Sequence, residues 1–462
     1  MWRPNDRRSA ADAHAVDTGI PQHSGTVART GIAAGGSALV ASGIELPASF
    51  RKLSAVERRR LLVERFGLEP QELDATAGSS ELLELAQIMV ESAVGVMPVP
   101  LGLAHGFLID DVVRSVPLAV EEPSVVAAAG YAAAIIRRGG GFFTSATDPI
   151  MTCQIALTNC RSDAEQQITA REQQICRRID PLLAGMQRRG GGFRGMDVTR
   201  LARTGLVVVR IHIDVRDAMG ANILNSVAEN CAEFICNELG CNRLMAILTN
   251  AAERRIARAE FALPAARLGR GGLSGSEIAE RIVLATRFAD EDGQRAVTHN
   301  KGIMNGITSL ALATANDTRG IEAAVHAWAA RDGSYRSLTH YELNAGVLTG
   351  SIEAPLPFGV VGGAVGFHPA SRFALKLLGN PDAVTLSRIA AAVGLAQNFA
   401  ALHALVGEGI QSGHMRLHST RLAWSAGARG AEVAGVAERI ARTRCFNAEG
   451  AAEALRSIRS GQ

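Results

Sequence analysis

The residues from 148 to 253 constrain the fold more than any other part of the chain, because strand-like and helix-like patterns alternate there in a defined order. Short runs rich in β-branched and apolar residues predict strands, and apolar residues every three or four positions, as at Ile223, Val227 and Cys231, predict helices. The predicted elements are a strand at 150–157, a helix at 164–183, strands at 194–201 and 205–214, a helix at 220–239 and a strand at 244–248. This β-α-β-β-α-β order predicts a ferredoxin-like split βαβ sandwich.

The rest of the chain predicts a larger unit and a tail. With 462 residues, 47% of them hydrophobic, the chain can bury a large core in two or three folded units. Residues 254–408 are predicted to be mainly helical, with strand-like residues near 345–353, and the tail ends in a helix. Residues 1–44 are rich in alanine, glycine and arginine without steady periodicity, so we predict a mobile extension there.

The composition argues against several classes of protein. The net charge is only +3 and aromatic residues make up 4%, so neither a basic patch for phosphates nor a base-stacking surface is expected, and no nucleic-acid partner is predicted. No uninterrupted apolar run reaches the roughly 18 residues that span a bilayer, so no membrane association is expected. The seven cysteines include no C-x-x-C pair, which argues against a zinc ribbon and predicts reduced thiols in a cytoplasmic protein.

Lysine is rare in this arginine-rich chain, and one of its three lysines stands in an informative setting. Lys301 lies four residues before Asn305, so a helix would place both side chains on one face. Lysine is a compact charge whose pKa can be moved, as expected of a group that polarises a carbonyl or transfers a proton. A solvated lysine without a function is the alternative.

Asp317 is the carboxylate that follows Lys301, at a sequence separation of 317 − 301 = 16 residues. Along an unbroken helix the two would stand roughly 24 Å apart, at about 1.5 Å per residue. They can share a site only if the chain breaks, with Gly306 as the candidate, or if a second subunit supplies one of them.

Two adjacent carboxylates, Glu121 and Glu122, precede Pro123 in an otherwise apolar stretch. Proline suits the first turn of a helix, which would place Glu122 at a helix N-terminus. Burial beside a like charge would raise the pKa of one carboxylate, whereas the helix dipole would lower it. Helix capping and catalysis both remain open for Glu122.

The turn from Asp217 through Met219 and Gly220 to Asn222 joins a predicted strand to a predicted helix. Small residues at such a turn can bring backbone N–H groups close to a phosphate. The run lacks the G-x-G-x-x-G spacing, and ordinary turn chemistry is the simpler interpretation.

His414 follows Gly413, which suits a mobile hinge, and its side chain can give or take a proton near neutral pH. His418 stands four positions later, so a pair of metal ligands is conceivable. No third ligand stands at a plausible spacing, and no metal is predicted.

Together these runs resemble the 3-hydroxy-3-methylglutaryl-CoA reductase family, in its soluble bacterial class II branch. The motifs that carry the resemblance occur in the family's order at 91–102, 121–129, 217–222, 298–306, 316–317, 394–398 and 413–415. The resemblance implies an α+β fold whose parts are a large, mainly helical domain at 45–147 and 254–408, an inserted ferredoxin-like dinucleotide-binding domain at 148–253, and a C-terminal helical flap at 409–462. It also implies a homodimer or higher homo-oligomer with active sites between subunits.

The implied reaction is the four-electron interconversion of 3-hydroxy-3-methylglutaryl-CoA and mevalonate plus CoA, with two nicotinamide cofactors. By resemblance, Lys301 stabilises the oxyanion of the thioester and Glu122 supplies a proton to the aldehyde. Asp317 would tune these two groups, and His414 on the flap would protonate the departing CoA thiolate.

The resemblance also assigns binding residues. Ser124 and Arg295 would line the substrate pocket, and Asn305 would orient Glu122 or the substrate. The cofactor would be held by Asp180, Asp217, Met219, Gly220 and Asn222. A carboxylate at Asp180 would repel a 2′-phosphate, so NADH is predicted over NADPH, with NADPH as the second choice.

Several residues depart from the family pattern, namely Ser92, Gly130, Gly366 and Arg421. These departures concern the shape of the pocket and the behaviour of the flap more than the type of reaction. They keep two alternatives open, a reductase of another acyl-CoA and a catalytically inactive CoA-binding protein on the same fold. The sequence does not predict the physiological direction of the reaction.

Overall fold

The computed structural model describes residues 46–47, 49–66, 78–407, 409 and 411–460, so the predicted extension at 1–44 lies outside the described part. The α+β class is confirmed, because helices surround two four-stranded antiparallel sheets and a two-stranded hairpin. The hairpin strands are Leu101–Ile109 and Val112–Ala119.

The smaller sheet has the predicted split βαβ topology. Its strands lie side by side in the order Gly192–Arg200, Val207–Asp214, Ile150–Thr158 and Asn242–Thr249. Each strand pairs antiparallel with its neighbour. The first and last strands of this unit, Ile150–Thr158 and Asn242–Thr249, are therefore neighbours in the sheet, as in a ferredoxin-like split βαβ sandwich.

Two helices cover one face of this sheet. Alternate residues of the strand Ile150–Thr158 share one hydrophobic cluster with Ile179 and Val227. These two residues lie on the helices Glu172–Gln187 and Ala221–Leu239. The cluster is the core of the smaller unit.

The prediction of a single helix at 164–183 is wrong, because the chain forms two helices there, Ala164–Thr169 and Glu172–Gln187. The guanidinium of Arg171 donates a hydrogen bond of 2.8 Å to the carbonyl oxygen of Gln167. This contact satisfies a carbonyl near the end of the first helix, where the regular bonding pattern stops.

The larger sheet was only partly predicted. Its strands lie in the order Phe143–Ala146, Ile256–Pro264, Val347–Pro355 and Thr339–Asn344. The second of these lies in a stretch predicted to be mainly helical, although its residues alternate between buried and exposed for most of its length. That period of two is the pattern of a half-buried strand.

The chain forms further helices outside these sheets. Those before the tail are Ala55–Phe66, Ser80–Met89, Val125–Arg137, Gly275–Glu291, Gly293–Ala313, Thr318–Ala329, Pro369–Leu377 and Ala383–Val406.

The central helix, Ala383–Val406, is the core of the larger unit. Asp382 caps it, since its carboxylate accepts a hydrogen bond of 2.7 Å from the backbone N–H of Thr385. Among the described residues it is the one helix long and apolar enough to cross a membrane, and 78% of its apolar window is buried inside the protein. Its apolar residues are interrupted by Arg388, so it is not an uninterrupted apolar run, and its burial is that of a core helix.

The lysine helix, Gly293–Ala313, carries Lys301 and crosses the central helix closely. It is continuous through Gly306, so the break that the sequence left open as an alternative does not occur there. A Cβ atom on Gly306 would lie 3.0 Å from both the Cγ1 and the carbonyl oxygen of Val393. The glycine therefore allows the two helices to approach each other.

The tail consists of the helices Gln411–Ser425, Glu432–Thr443 and Ala448–Arg459, which share a small hydrophobic cluster of their own. Gly413 is helical, so the predicted hinge is not a break in the backbone. The guanidinium of Arg421 donates a hydrogen bond of 2.7 Å to the carbonyl oxygen of Glu121, which ties the first of these helices to the loop that carries Glu122.

Candidate functional site

The structure brings Lys301 and Glu122 together. The Nζ atom of Lys301 lies 2.7 Å from Oε2 of Glu122, and the two side chains are 59% and 37% exposed. Glu122 lies in the loop between the strand Val112–Ala119 and the helix Val125–Arg137. An ammonium and a carboxylate at this distance form a charge-assisted hydrogen bond.

The local structure around Glu122 differs from the predicted helix start. The helix begins at Val125, after Ser124, so Pro123 precedes the helix instead of occupying its first turn. Ser124 has a φ of 76° in the left-handed region and provides no side-chain cap. This uncommon backbone conformation turns the chain sharply beside Glu122, as happens at many functional sites.

A cavity of about 390 Å³ opens beside the ion pair, and the predicted substrate residues Ser124, Arg295 and Asn305 line it together with Glu122 and Lys301. The spacing of Lys301 and Asn305 therefore does place both on one face of the lysine helix. Burial lowers the pKa of Arg295. The cavity combines one acid, three cations, since Arg270 also lines it, and several amides within a largely apolar wall.

Five further polar residues of the cavity wall were not predicted as site residues, namely Arg270, Thr298, His299, Gln397 and Asn398. His299 is 2% exposed, and Asn398 is as deeply buried. Burial, together with the charge of Arg295, lowers the pKa of His299 to about 3, so its ring is neutral at pH 7. Its position four residues after Arg295 was the available signal for His299, because that spacing places both on one helix face.

Asp317 does not line this cavity. Its side chain is exposed and caps the helix Thr318–Ala329, accepting a hydrogen bond of 3.0 Å from the backbone N–H of Gly320. From Lys301 to Ala313 the lysine helix alone advances roughly 18 Å, at about 1.5 Å per residue. A break in the lysine helix therefore does not bring Lys301 and Asp317 together.

The predicted dinucleotide turn starts the helix Ala221–Leu239. Gly220 is its N-cap with a φ of 98°, and a Cβ there would lie 2.8 Å from Cγ1 of Val215. No side chain caps this N-terminus. A helix start with uncapped N–H groups and a glycine at its edge fits the pyrophosphate of a dinucleotide.

The side chain of Asp217 holds this turn in place. One carboxylate oxygen of Asp217 accepts a hydrogen bond of 3.1 Å from the backbone N–H of Ala383. The backbone carbonyl oxygen of Asp217 accepts a hydrogen bond of 2.8 Å from the backbone N–H of Val360. Gly359 packs against the backbone of Met219, where a Cβ would approach the nitrogen to 2.6 Å. The turn therefore rests on the larger unit through close contacts.

Asp180 lies on the helix Glu172–Gln187, where its Oδ1 accepts a hydrogen bond of 2.8 Å from Nε2 of Gln187. The neighbouring Arg178 is turned toward Asn230, with a hydrogen bond of 3.1 Å from its Nε. Asn222 is exposed in the first turn of the other helix of the smaller unit.

His414 belongs to the helix Gln411–Ser425, and its side chain lies outside the described part of the structure. Among the side chains that are described, no group of three or more histidine, cysteine, aspartate or glutamate residues is placed to hold a metal ion.

Comparison with known proteins identifies relatives along most of the chain. The family model described as hydroxymethylglutaryl-coenzyme A reductase matches residues 54–419. The chain is 42% identical over 419 residues to a 3-hydroxy-3-methylglutaryl-coenzyme A reductase of Archaeoglobus fulgidus, covering 89% of this chain and 94% of the relative. It is 36% identical over 383 residues to a probable reductase of the same name from Borreliella burgdorferi, covering 83% and 88%.

Solved structures agree with these relatives. The 3-hydroxy-3-methylglutaryl-coenzyme A reductase of Streptococcus pneumoniae superposes with a TM-score of 0.69 at 38% identity, covering 89% of this chain and 99% of that one. A second structure, described as the class II enzyme from the same organism bound to NADPH in open conformations, has the same TM-score and identity and covers 88% and 100%.

Proposed function

Because the chain belongs to the hydroxymethylglutaryl-coenzyme A reductase family and is an oxidoreductase, we propose that its cavity interconverts 3-hydroxy-3-methylglutaryl-CoA and mevalonate plus CoA. The observation that carries the proposal is the 2.7 Å contact between Lys301 and Glu122 at the mouth of a partly apolar cavity. A cation and an acid side by side can stabilise a developing oxyanion and supply the proton that it requires.

Lys301 is the electrostatic group of this proposal. Its ammonium is oriented by Glu122 and needs no rearrangement to face an oxygen atom that enters the cavity. As negative charge develops on the thioester oxygen, this preoriented cation stabilises the transition state more than the ground state.

Glu122 is the proton donor, and His414 serves the leaving group. The first hydride converts the thioester to a hemithioacetal, whose collapse to the aldehyde restores the carbonyl and releases the CoA thiolate, which takes up one proton. The second hydride adds to the aldehyde carbon, and the second proton goes to its oxygen. Glu122 would deliver its proton to the aldehyde oxygen, and Asn305 would orient Glu122. His414, on the C-terminal flap, would protonate the thiolate as it departs.

We propose that the smaller unit binds the nicotinamide cofactor, which supplies the hydride when bound. The uncapped start of the helix Ala221–Leu239, with Met219, Gly220 and Asn222, would hold the pyrophosphate. Asp180 would accept hydrogen bonds from the ribose hydroxyls of the adenosine, and its negative charge would favour NADH over NADPH. Asp217 would act indirectly, by fixing the turn against Ala383.

We propose further that two subunits complete each site. Asp317 caps a helix that starts well away from the Lys301 cavity of its own chain, and its carboxylate is exposed. In a homodimer or higher homo-oligomer, Asp317 of one chain would approach the Lys301–Glu122 pair of another and tune its protonation. The cytoplasm suits such an enzyme, since the cysteines in the described part of the chain are free thiols.

The test is the oxidation of reduced nicotinamide, followed by its absorbance, with 3-hydroxy-3-methylglutaryl-CoA as substrate. We expect turnover with both cofactors and a higher kcat/KM with NADH. Asp180→Ala is expected to reduce the difference in kcat/KM between NADH and NADPH. Lys301→Ala is expected to slow turnover with either cofactor by about 10²–10³-fold. No oxidation of either cofactor would favour a reductase of another acyl-CoA or an inactive CoA-binding protein.

A further inference from the structure

The three helices of the tail form a body with its own core. All the described residues of their hydrophobic cluster lie between Leu422 and Ile458, and Ala423 and Ile440 are at its centre with no exposed surface. The tail follows the central helix after Gly407 and Gly409, and Gly409 has a φ of 85°. A body of this kind is positioned on the larger unit by the contacts that it makes there.

Arg421 makes such a contact. Its Nη2 atom donates a hydrogen bond of 2.7 Å to the backbone carbonyl oxygen of Glu121, which lies 300 positions earlier in the chain. The donor is charged, so the bond is stronger than one between neutral groups. Glu121 directly precedes Glu122, whose carboxylate lies 2.7 Å from Nζ of Lys301. Arg421 therefore attaches the first tail helix, Gln411–Ser425, one residue away from the ion pair.

Position 414 lies on the same face of this helix as Arg421. The two positions differ by 421 − 414 = 7 residues, which is about two turns at roughly 3.6 residues per turn. Residues at this spacing share one face of a helix. The bond that brings this face to the loop of Glu122 therefore also determines which way position 414 faces.

We propose that Arg421 is a positioning residue for reduction of the thioester, because its bond to Glu121 docks the tail helix that carries His414. The inference rests on the proposed function, in which His414 protonates the departing CoA thiolate. Reduction of the free aldehyde releases no thiolate, and its proton comes from Glu122. Loss of the Arg421 contact should therefore slow the thioester reaction and spare the aldehyde reaction.

Rates with two substrates test this difference. They are 3-hydroxy-3-methylglutaryl-CoA and the corresponding free aldehyde, 3-hydroxy-3-methyl-5-oxopentanoate, each with saturating NADH. Arg421→Met keeps the length of the side chain and removes its donors. We expect kcat for the thioester to fall about fivefold, the factor that the loss of one hydrogen bond would give, and kcat for the aldehyde to stay within twofold. Arg421→Lys keeps a charged donor and should recover most of the thioester rate.

Arg459→Met is the matched control. Arg459 is a half-exposed arginine of the last tail helix, and it donates hydrogen bonds of 2.8 and 2.9 Å to the carboxylate of Glu432, within the tail itself. A carboxylate is a stronger acceptor than a backbone carbonyl, so this substitution removes the stronger contact. Both rates should nevertheless stay within twofold of wild type, because the bond between Arg421 and Glu121 remains.

Hydrogen exchange without substrate measures the docking separately from catalysis. The backbone amides of the helix Gln411–Ser425 should exchange about fivefold faster in Arg421→Met than in the wild-type protein, since a released helix opens more often. In Arg459→Met they should exchange at nearly the wild-type rate.

Four results would overturn the inference. They are unchanged exchange in Arg421→Met, an unchanged thioester rate, equal slowing with both substrates, which would indicate an effect on Glu122, and an equal effect of Arg459→Met on the thioester rate. A wild-type protein that reduces neither substrate counts against the proposed function instead. The exchange measurement then decides whether Arg421 docks the tail helix.

Discussion

The ammonium of Lys301 lies 2.7 Å from the carboxylate of Glu122, across 179 positions of sequence. The side chains are on different elements, since Lys301 is in the lysine helix and Glu122 is in the loop before the helix Val125–Arg137. Each restricts where the other can point, and both face one cavity. This pair is the basis of the first prediction.

Replacing Lys301 by alanine should lower kcat by about 10²–10³-fold, because removal of one preoriented oxyanion-stabilising group has an effect of that size. The Kd for the acyl-CoA should change much less, since the interaction is strongest in the transition state. Lys301→Arg, which keeps the charge but not the compact geometry, should recover only part of the rate. Steady-state kinetics and calorimetry separate these effects, and an equal loss in kcat and in affinity would contradict the assigned role.

A mixture of two inactive variants tests the shared site. Lys301→Ala and Asp317→Ala homodimers should each be nearly inactive. After unfolding and refolding together, half of the dimers are mixed, and one of the two sites in each contains both wild-type residues. Activity should then return to about a quarter of the wild-type value. Failure of the mixture to regain activity, with mixed dimers shown by mass spectrometry, would place Asp317 outside the site.

Arg255 should control the position of the cofactor turn. This buried guanidinium donates to the carbonyl oxygens of Ala218, at 3.0 Å, and Phe358. Burial lowers the pKa of Arg255 to about 10, opposed by Asp214 and Asp217, so it remains charged at pH 7. Arg255→Met should reduce the free energy of unfolding by about 3 kcal/mol and raise the cofactor KM, because both carbonyls lose their donor.

The adjacent Arg254 is the control for this prediction. It is half-exposed, and its Nη2 atom lies 3.4 Å from the carboxylate of Asp197. Arg254→Met should cost less than about 1 kcal/mol and leave the cofactor KM unchanged, as expected for a surface ion pair. If both substitutions lower the free energy of unfolding in urea equally, the buried contacts of Arg255 stabilise the protein no more than a surface ion pair does.

The buried His299 should make the protein less stable in mild acid. Burial lowers its native pKa to about 3, against about 6.5 in the unfolded chain. As the pH falls below 6.5, the unfolded state therefore binds a proton that the native state does not, and stability is lost progressively down to about pH 3. Between pH 7 and pH 5 this group alone should cost about 2 kcal/mol.

The comparison is with His299→Asn, which does not titrate in this range. Between pH 7 and pH 5, the free energy of unfolding in urea should fall by about 2 kcal/mol less in the variant than in the wild-type protein. All other titrating groups are common to the two proteins. If the free energy of unfolding depends on pH in the same way in both proteins, His299 is not the cause of that dependence.

Features that depend on local periodicity could be predicted from the sequence alone. The β-α-β-β-α-β order at 148–253 was predictable because strands and helices differ in the spacing of their apolar residues. The shared face of Lys301 and Asn305 followed from the 3.6-residue repeat of a helix, and both residues line the cavity. Family motifs supplied the reaction, because they carry residue types in a characteristic order.

Features that depend on contacts between distant segments could be read only from the folded chain. No local pattern distinguishes a Gly306 that breaks a helix from one that lets Val393 approach, and the packing shows the second. The partners of His299 lie 40 and 99 positions away in sequence, at Thr339 and Asn398, so its buried, neutral state could not be derived from its neighbours. Burial and pairing are properties of the packed chain, since they arise only when separate elements exclude water together.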